Sequence, residues 1–225
     1  SMLFSEKRRI NLEFLTTLKG IVALIKDAGK TESVYDIEDS LRNTKATQLM
    51  VEYIKSQPGV TEIVQERYTP PPVDIDALLK CPEDSLGYAY ASYLKTAGFD
   101  PNFYRKPAGD DDISYIFLRI RQTHDIWHVL TDFGADEIEE LGLKAFELAQ
   151  THRTMSAVLI SGGMLKILFN QPENLERLLD RIAVGFRMGA KAKPFLAQKW
   201  EENWDKSVAQ WRAELEVKPT PVYVP

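Results

Sequence analysis

Apolar residues recur at intervals of three and four along most of the chain, which is the spacing of amphipathic helices. The first run covers residues 8–27 and is followed by Gly29, so it predicts an opening helix with a glycine stop. Two shorter runs, over residues 33–42 and 44–57, predict further helices, the second closed by Pro58. The beginning of the chain therefore predicts helical structure.

Proline and the same apolar spacing organise the middle of the chain. Residues 68–72 contain three consecutive prolines, which remove backbone donors and cannot occupy a helix interior, so they predict a stiff connector. Five helices are predicted after it, over residues 74–79, 85–94, 110–130, 137–150 and 174–190. Asp136 is expected to cap the fourth of these helices.

Two further helices are predicted from less regular patterns. Residues 154–169 are mostly apolar and predict a helix broken in the middle by Gly162 and Gly163. Near the end of the chain, five large apolar residues follow a helical spacing and predict one last helix: Trp200, Trp204, Val208, Trp211 and Leu215. No run shows the strict alternation of a half-buried strand.

The composition agrees with a single globular domain. A content of 44% hydrophobic and 27% charged residues allows a chain of this length to bury one core. We therefore expect an all-α fold, a single-domain helical bundle of roughly eight to ten helices over residues 1–225, with residues 1–7 and 218–225 as flexible or extended ends. Cys81 is the only cysteine, so no internal disulfide is expected.

Charge and hydropathy restrict the partners and the location of the protein. The net charge of −5 and the pI near 5.4 lack the basic footprint of nucleic-acid binding, so no nucleic-acid partner is expected. The most apolar stretch, residues 12–25, contains Glu13 and Lys19 and is shorter than the roughly 20 residues of a membrane span. We expect no transmembrane segment and a location in the cytoplasm or at the membrane surface, where the basic residues 7–9 could contact anionic lipid.

The candidate chemistry lies in one histidine cluster. His124 and His128 are four residues apart on a predicted helix, so their imidazoles share a face, which is a spacing that suits a metal ion. Asp125 lies close enough to be a ligand or to orient one, and Glu140 would return to this face if the next helix packs antiparallel. A hydrogen-bonded pair without metal remains the alternative. The third histidine, His152, is expected at the surface near a helix end.

These residues resemble the signature of a known family. His124-Asp125-Ile126-Trp127-His128, followed after eleven residues by Glu140, resembles the HDxxH-x11-E signature of the ubiquinone (coenzyme Q) biosynthesis protein 4 family. Other segments resemble the family in the same order: Val64-Gln65-Glu66-Arg67, Pro82-Glu83-Asp84-Ser85-Leu86-Gly87, Arg119-x-Arg121, Phe146-x-x-x-Gln150, Trp200-Glu201 and Ala213-Glu214-Leu215. The resemblance covers residues 32–217.

The resemblance implies a function in quinone biosynthesis at the membrane surface, together with other quinone biosynthesis proteins. It implies that His124, Asp125, His128 and Glu140 bind a divalent metal ion (zinc, iron, manganese, magnesium or cobalt) and are catalytic in the oxidative decarboxylation of a polyprenylated aromatic acid. A non-catalytic isoprenoid-lipid-binding scaffold that organises a biosynthesis complex is the alternative. An HD-type phosphohydrolase is disfavoured, because no histidine precedes His124.

The substrate implied by the resemblance needs a head-group site and an apolar channel. Arg121, one turn before His124, could clamp an anionic head group or form a salt bridge with a neighbouring acid. The candidate residues for the lining of the lipid tail are Phe117, Ile120, Trp127, Met155, Leu159, Gly162, Gly163 and Leu168. Such apolar stripes are also typical of an ordinary core. A homodimer is a further expectation that the sequence leaves open.

Overall fold

The structure is a computed structural model and describes residues 35, 37–39 and 41–224. Most of these residues are helical. Those residues form nine complete α-helices, eight of them seven residues or longer, and contain no strand; residues 35 and 37–39 are helical as well. The predicted all-α, single-domain fold is therefore confirmed. The opening helix predicted over residues 8–27 and the flexible end predicted at residues 1–7 lie outside the described residues.

Side-chain caps determine where the helices of the first half begin. Thr44, Asp74 and Ser85 each accept a hydrogen bond from the backbone N–H three residues on, at 3.3, 3.2 and 3.1 Å, which satisfies a donor that the first helical turn leaves unpaired. These helices are α1 (Lys45–Ser56), α2 (Val60–Glu66), α3 (Ile75–Leu78) and α4 (Leu86–Ala97). The apolar spacing does not predict α2, which has only seven residues between left-handed Gly59 and Arg67.

Aspartate and serine caps continue through the second half. Asp111, Asp136 and Ser207 accept from the third residue after them at 3.1, 2.9 and 3.0 Å, so the predicted cap at Asp136 is confirmed. The helices are α5 (Asp112–Thr131), α6 (Glu137–Thr151), α7 (Thr154–Asn170), α8 (Leu175–Lys191) and α9 (Val208–Leu215). Three short 3-10 turns lie between them, at Pro172–Asn174, Phe195–Ala197 and Trp200–Glu202.

The predicted break in the helix over residues 154–169 is wrong. Helix α7 runs continuously through Gly162 and Gly163. At Gly163 the glycine serves packing, because a Cβ there would lie 2.5 Å from Cδ1 of Leu141 on α6. The missing side chain lets α7 approach α6 without ending the helix.

The single last helix predicted around the tryptophans is also wrong. Trp200 begins a short 3-10 turn, and an independent helix starts only after the cap at Ser207. Trp200 and Trp211 are both buried, with ring centroids 4.8 Å apart. These tryptophans are spaced as in a helix because their rings are buried in the same core, although the segment is not one helix.

Glycines let α6 and α8 touch through their backbones. A Cβ at Gly185 would lie 2.0 Å from the carbonyl oxygen of Gly142, and one at Gly189 would lie 2.4 Å from that of Phe146. No side chain can be inserted at such distances, so the two helix axes approach as closely as backbones allow. On its other face, α6 presents Phe146 to Trp127 and to the aromatic core, with ring centroids 5.9 Å apart.

The structure describes residues 218–224 at the end of the chain, and it also bears on the expectation that no segment spans a membrane. Residues 218–224 have no regular secondary structure, and Arg181 donates to the carbonyl of Thr220 at 3.0 Å. Within residues 35–224, as far as they are described, no helix is long and apolar enough to cross a membrane.

Substitution of Gly185 by alanine should destabilise the fold, because its Cβ would overlap the carbonyl of Gly142. We expect the free energy of unfolding to fall by about 1–3 kcal/mol, as measured by urea denaturation. Gly134→Ala is the matched control, since the atom nearest to its new Cβ is 3.6 Å away. Equal stability of the two variants would contradict the proposed close backbone contact.

Candidate metal centre

Two histidines project from the same face of α5 near its end. His128 is buried, with a side chain 2% exposed, while the side chain of His124 is 26% exposed. Their Nε2 atoms lie 3.1 Å apart and the rings meet edge to face. Helical spacing of four residues places them one above the other, as the sequence pattern predicts.

Glu140 reaches this histidine pair from α6. Asp132, in the left-handed conformation, ends α5, and Asp136 caps α6 four residues later, so the chain reverses in a short turn. One carboxylate oxygen of Glu140 lies 2.9 Å from Nε2 of His124, and the other lies 2.8 Å from Nε2 of His128. The three side chains therefore converge on one point.

The donor atoms of these three residues fit a metal ion. They lie within 4.8 Å of one another. Nδ1 of His128 is 2.8 Å from the carbonyl oxygen of Phe133, which can only accept, so the proton of a neutral ring sits on Nδ1 and leaves a lone pair on Nε2. Tyr93 stacks on the His128 ring at 5.4 Å and restricts its rotation. Two imidazole nitrogens and a carboxylate form a donor set that suits several transition-metal ions.

The charges and hydrogen bonds of neighbouring groups outweigh the effect of burial on the pKa values of His128 and Glu140. Burial by itself lowers the pKa of His128, but the hydrogen bond and charge of Glu140 outweigh it, so this pKa lies above its usual value. Burial likewise favours protonated Glu140, yet the charge of His124 and the hydrogen bonds from both histidines hold the pKa of Glu140 well below its usual value. A metal ion binding here has to compete with protons on the histidines.

Asp125 does not join the ligand group. It lines the same cavity, but the cluster of potential ligand atoms consists of His124, His128 and Glu140. Its carboxylate acts on its surroundings through charge: after burial, it is the largest cause of the raised pKa of Tyr93 on the neighbouring α4. The structure therefore places Asp125 in the wall of the cavity beside the candidate metal ligands.

The three candidate ligands face a cavity of about 390 Å³. Its wall combines aromatic and small apolar side chains: Tyr35, Tyr93, Phe99, Phe103, Tyr104, Ile120, Ala135 and Leu159. Three cations, Arg121, Lys144 and Arg153, complete it. Phe99 and Phe103, in the loop between α4 and α5, are 48% and 85% exposed, so the cavity opens to solvent past aromatic rings. The sequence pattern does not single out this loop, because it has no helical periodicity.

Two of the eight predicted tail-lining residues, Ile120 and Leu159, line this cavity. The other six lie elsewhere, since an apolar stripe indicates burial but does not say what the residue faces. Phe117, Trp127 and Met155 are at most 1% exposed. Gly162 is buried. Gly163 packs on Leu141, and Leu168 is 45% exposed.

A buried network of charged groups supports the cavity wall. Arg121 donates to Glu38 at 2.9 Å, and Arg153 donates to Glu38 at 2.6 Å and to Glu147 at 2.9 Å. Ser156 also donates to Glu147, at 2.7 Å. Of the two roles considered for Arg121, the structure shows the salt bridge to a neighbouring acid.

The remaining histidine has no part in the centre. His152 is exposed at the end of α6 and stacks on Tyr53, with ring centroids 3.5 Å apart, as expected of a surface residue near a helix end.

Comparison with known families identifies the chain. A family model described as Coenzyme Q (ubiquinone) biosynthesis protein Coq4 matches residues 9–221. The chain belongs to this family. The resemblance inferred from the HDxxH-x11-E pattern is thereby confirmed, and the candidate metal centre lies within the matched region.

Known relatives of this Coq4 family member are similar over most of its length. The mitochondrial ubiquinone biosynthesis protein COQ4 of Zygosaccharomyces rouxii is 35% identical over 172 residues, which cover 75% of this chain and 48% of that protein. Its counterpart in Eremothecium gossypii is 30% identical over 201 residues, 88% of this chain and 59% of that protein. The chain thus spans about half the length of the curated relatives it matches.

A solved structure has the same fold. The crystal structure of a protein from Nostoc punctiforme PCC 73102, presented as a candidate ubiquinone biosynthesis protein, matches with a TM-score of 0.79 and 38% identity. The match covers 88% of this chain and 95% of that chain.

Substitution of Glu147 by glutamine should destabilise the protein at neutral pH, because it leaves Arg153 with one buried carboxylate fewer. We expect a loss of about 3–5 kcal/mol in the free energy of unfolding. Burial favours protonation of Glu147, but Lys144 and Arg153 outweigh it and lower its pKa to about 2.

The same variant should alter the acid limb of the stability curve. Since the folded-state pKa of Glu147 is about 2 and its usual value is 4.5, its contribution is present above about pH 4.5 and is lost as the pH falls towards 2. The difference between wild type and Glu147→Gln should therefore shrink over this interval in denaturation series. Glu173→Gln, at an exposed position, is the control. A difference that is independent of pH would refute the charge-based account.

Proposed function

We propose that His124, His128 and Glu140 bind a divalent metal ion, and that the protein uses this centre in quinone biosynthesis on a polyprenylated aromatic acid. The observation that carries the proposal is the convergence of two imidazole nitrogens and one carboxylate at the cavity. Membership of the Coq4 family supports the pathway. The contact of Nδ1 of His128 with a backbone carbonyl supports the metal, because a neutral ring then carries its proton on Nδ1 and offers the Nε2 lone pair to an ion.

The donor set restricts the identity of the ion. A mixed set of imidazole nitrogen and carboxylate oxygen suits zinc, iron, manganese or cobalt, whereas magnesium prefers oxygen ligands alone and fits least well. Bound here, such an ion supplies a Lewis acid for a carboxylate or phenolate and a centre for oxygen chemistry.

The reaction that fits this site best is oxidative decarboxylation. The bond between the ring carbon and its carboxylate breaks with release of CO2, and a hydroxyl takes the carboxylate's place. One oxygen atom of O2 supplies that hydroxyl, and two electrons and two protons from an external reductant convert the other oxygen to water. Tyr93 and Ile120 provide an apolar wall against which an aromatic ring can pack. The carboxylate of Asp125 lines the same cavity, where it can accept a proton.

The prenyl tail of the substrate has an exit from the cavity. Phe99, Phe103 and Leu159 line the cavity, and Phe99 and Phe103 are exposed, so we infer that the tail leaves past these apolar side chains. A tail that leaves by this path would meet lipid if the protein lies at a membrane surface, a location to which basic residues 7–9, outside the described part, could contribute. Other quinone biosynthesis proteins are the expected partners, and a homodimer fits the same proposal.

The first test is the metal content of protein purified without a histidine tag, measured by elemental mass spectrometry. We expect near-stoichiometric metal in the wild type and its loss in His124→Ala and Glu140→Ala, because each removes one of three ligands. His152→Ala is the matched control and should retain the metal. Asp125→Asn should also retain it, since Asp125 lies outside the ligand group.

The outcomes separate catalysis from binding alone. Failure of the wild type to bind metal, even after reconstitution with zinc, iron, manganese, magnesium and cobalt, would refute the proposed centre. An isoprenoid extracted from such a protein would instead favour the non-catalytic scaffold. With metal bound, production of CO2 and the hydroxylated ring from a prenylated hydroxybenzoate tests the reaction.

The tail path can be tested at Phe103, which is 85% exposed and therefore contributes little to stability. Phe103→Ala should weaken binding of a prenylated hydroxybenzoate by about five- to tenfold, because it removes apolar surface from the path. Affinity for the same acid without its prenyl chain should not change. Phe169→Ala, at a position 77% exposed and outside the cavity, is the control. An equal effect on both ligands would argue against this path.

A further inference from the structure

The three cationic side chains of the cavity differ in how closely they are paired with carboxylates. Arg121 donates to the carbonyl of Arg105 and to Glu38, both at 2.9 Å. Arg153 bridges Glu38 and Glu147, at 2.6 and 2.9 Å. Both guanidinium groups therefore have short ion pairs with buried carboxylates. They hold the wall together, and their charges are paired even though the buried Nε of Arg121 has no hydrogen-bond partner.

Lys144 has the weaker contacts. It lies on α6 one turn after Glu140, and its side chain, 11% exposed, lines the cavity. Its Nζ is 3.3 Å from a carboxylate oxygen of Glu147 and 3.9 Å from one of Glu140. Glu147 also accepts from Arg153 and Ser156, so it keeps two donors when the lysine turns away.

A bound metal ion would leave the charge of Lys144 unmatched. Two buried carboxylates neutralise the two guanidinium groups described above. The charge of a divalent ion is matched by Asp125 and Glu140. Among the described residues that line the cavity or pair with its wall, the ammonium of Lys144 then remains in excess. A cavity with one extra positive charge favours a ligand with a single negative charge.

We propose that Lys144 binds the carboxylate of the substrate. This inference rests on the metal centre and substrate class proposed above. The ammonium lies within 3.9 Å of an oxygen of Glu140 that is itself 2.9 Å from His124, so a carboxylate placed beside the metal ion comes within its reach. Hydrogen bonds between an ammonium and a carboxylate are among the strong ones in proteins.

This contact distinguishes the substrate from its product. The aromatic acid carries the carboxylate that Lys144 binds, whereas the hydroxylated ring formed by loss of CO2 does not. Lys144 therefore favours binding of the acid and loses its partner once the reaction has occurred. Its role is one of specificity, and a neutral ring with the same tail should not depend on it.

The test is calorimetric titration of zinc-loaded protein, in which no turnover is needed. The ligands are a 4-hydroxybenzoate with a short prenyl chain and the phenol with the same chain but no carboxylate. Lys144→Met should weaken binding of the acid by about ten- to a hundredfold, the factor expected of a charge-assisted hydrogen bond. Binding of the phenol should be unchanged, and Lys144→Arg should retain most of the affinity for the acid.

Controls separate this inference from the proposed function. Lys166→Met removes a lysine that pairs with Glu137 outside the cavity and should change neither affinity. If the variant Lys144→Met binds the acid as tightly as the wild type, or loses both ligands equally, the role of Lys144 is refuted while the metal centre stands. If the zinc-loaded wild type binds neither ligand, the proposed function itself fails.

Discussion

The direct contact between the backbones of α6 and α8 is the constraint on which the site depends. Gly185 lies so close to the carbonyl of Gly142 that α6 has no room to shift or rotate towards α8. Helix α6 carries Glu140, Lys144 and Glu147 along one stripe, at helical intervals of four and three. A fixed α6 therefore sets the position of a candidate metal ligand, a cavity lysine and a structural carboxylate at once. The histidines of α5 then need only the short turn before α6 to face Glu140.

Local chemistry made most of the helices predictable. Caps such as Asp136 and Ser85 act within three residues of themselves, so the sequence pattern alone indicates where these helices start. Features that depend on distant neighbours escaped prediction. Gly163 reads as a helix breaker until Leu141 is seen packed against it, and the spacing of Trp200 and Trp211 reflects a shared core.

In the candidate site, too, the residues that are close in sequence were predictable and those that are distant in sequence were not. His124 and His128 are predictable as a pair because one helix holds both, and Glu140 because one turn connects its helix to theirs. The support of the cavity is different: Glu38 and Arg153 are 115 positions apart, and no local pattern joins them. The aromatic residues at the opening lie in a loop without periodicity, so their proximity to the histidines is visible only in three dimensions.

The hydrogen bond from His128 to the carbonyl of Phe133 has an evolutionary consequence. Its acceptor is a main-chain atom, so replacing the side chain of Phe133 does not remove the acceptor, whereas a substitution would remove an aspartate or asparagine in the same role. What would disturb it is an insertion or deletion between Asp132 and Asp136, which would move the carbonyl and the start of α6 together. Selection on this site should therefore act on the length of the turn more strongly than on the identity of its residues, which gives a physical reason for a motif defined by an eleven-residue interval.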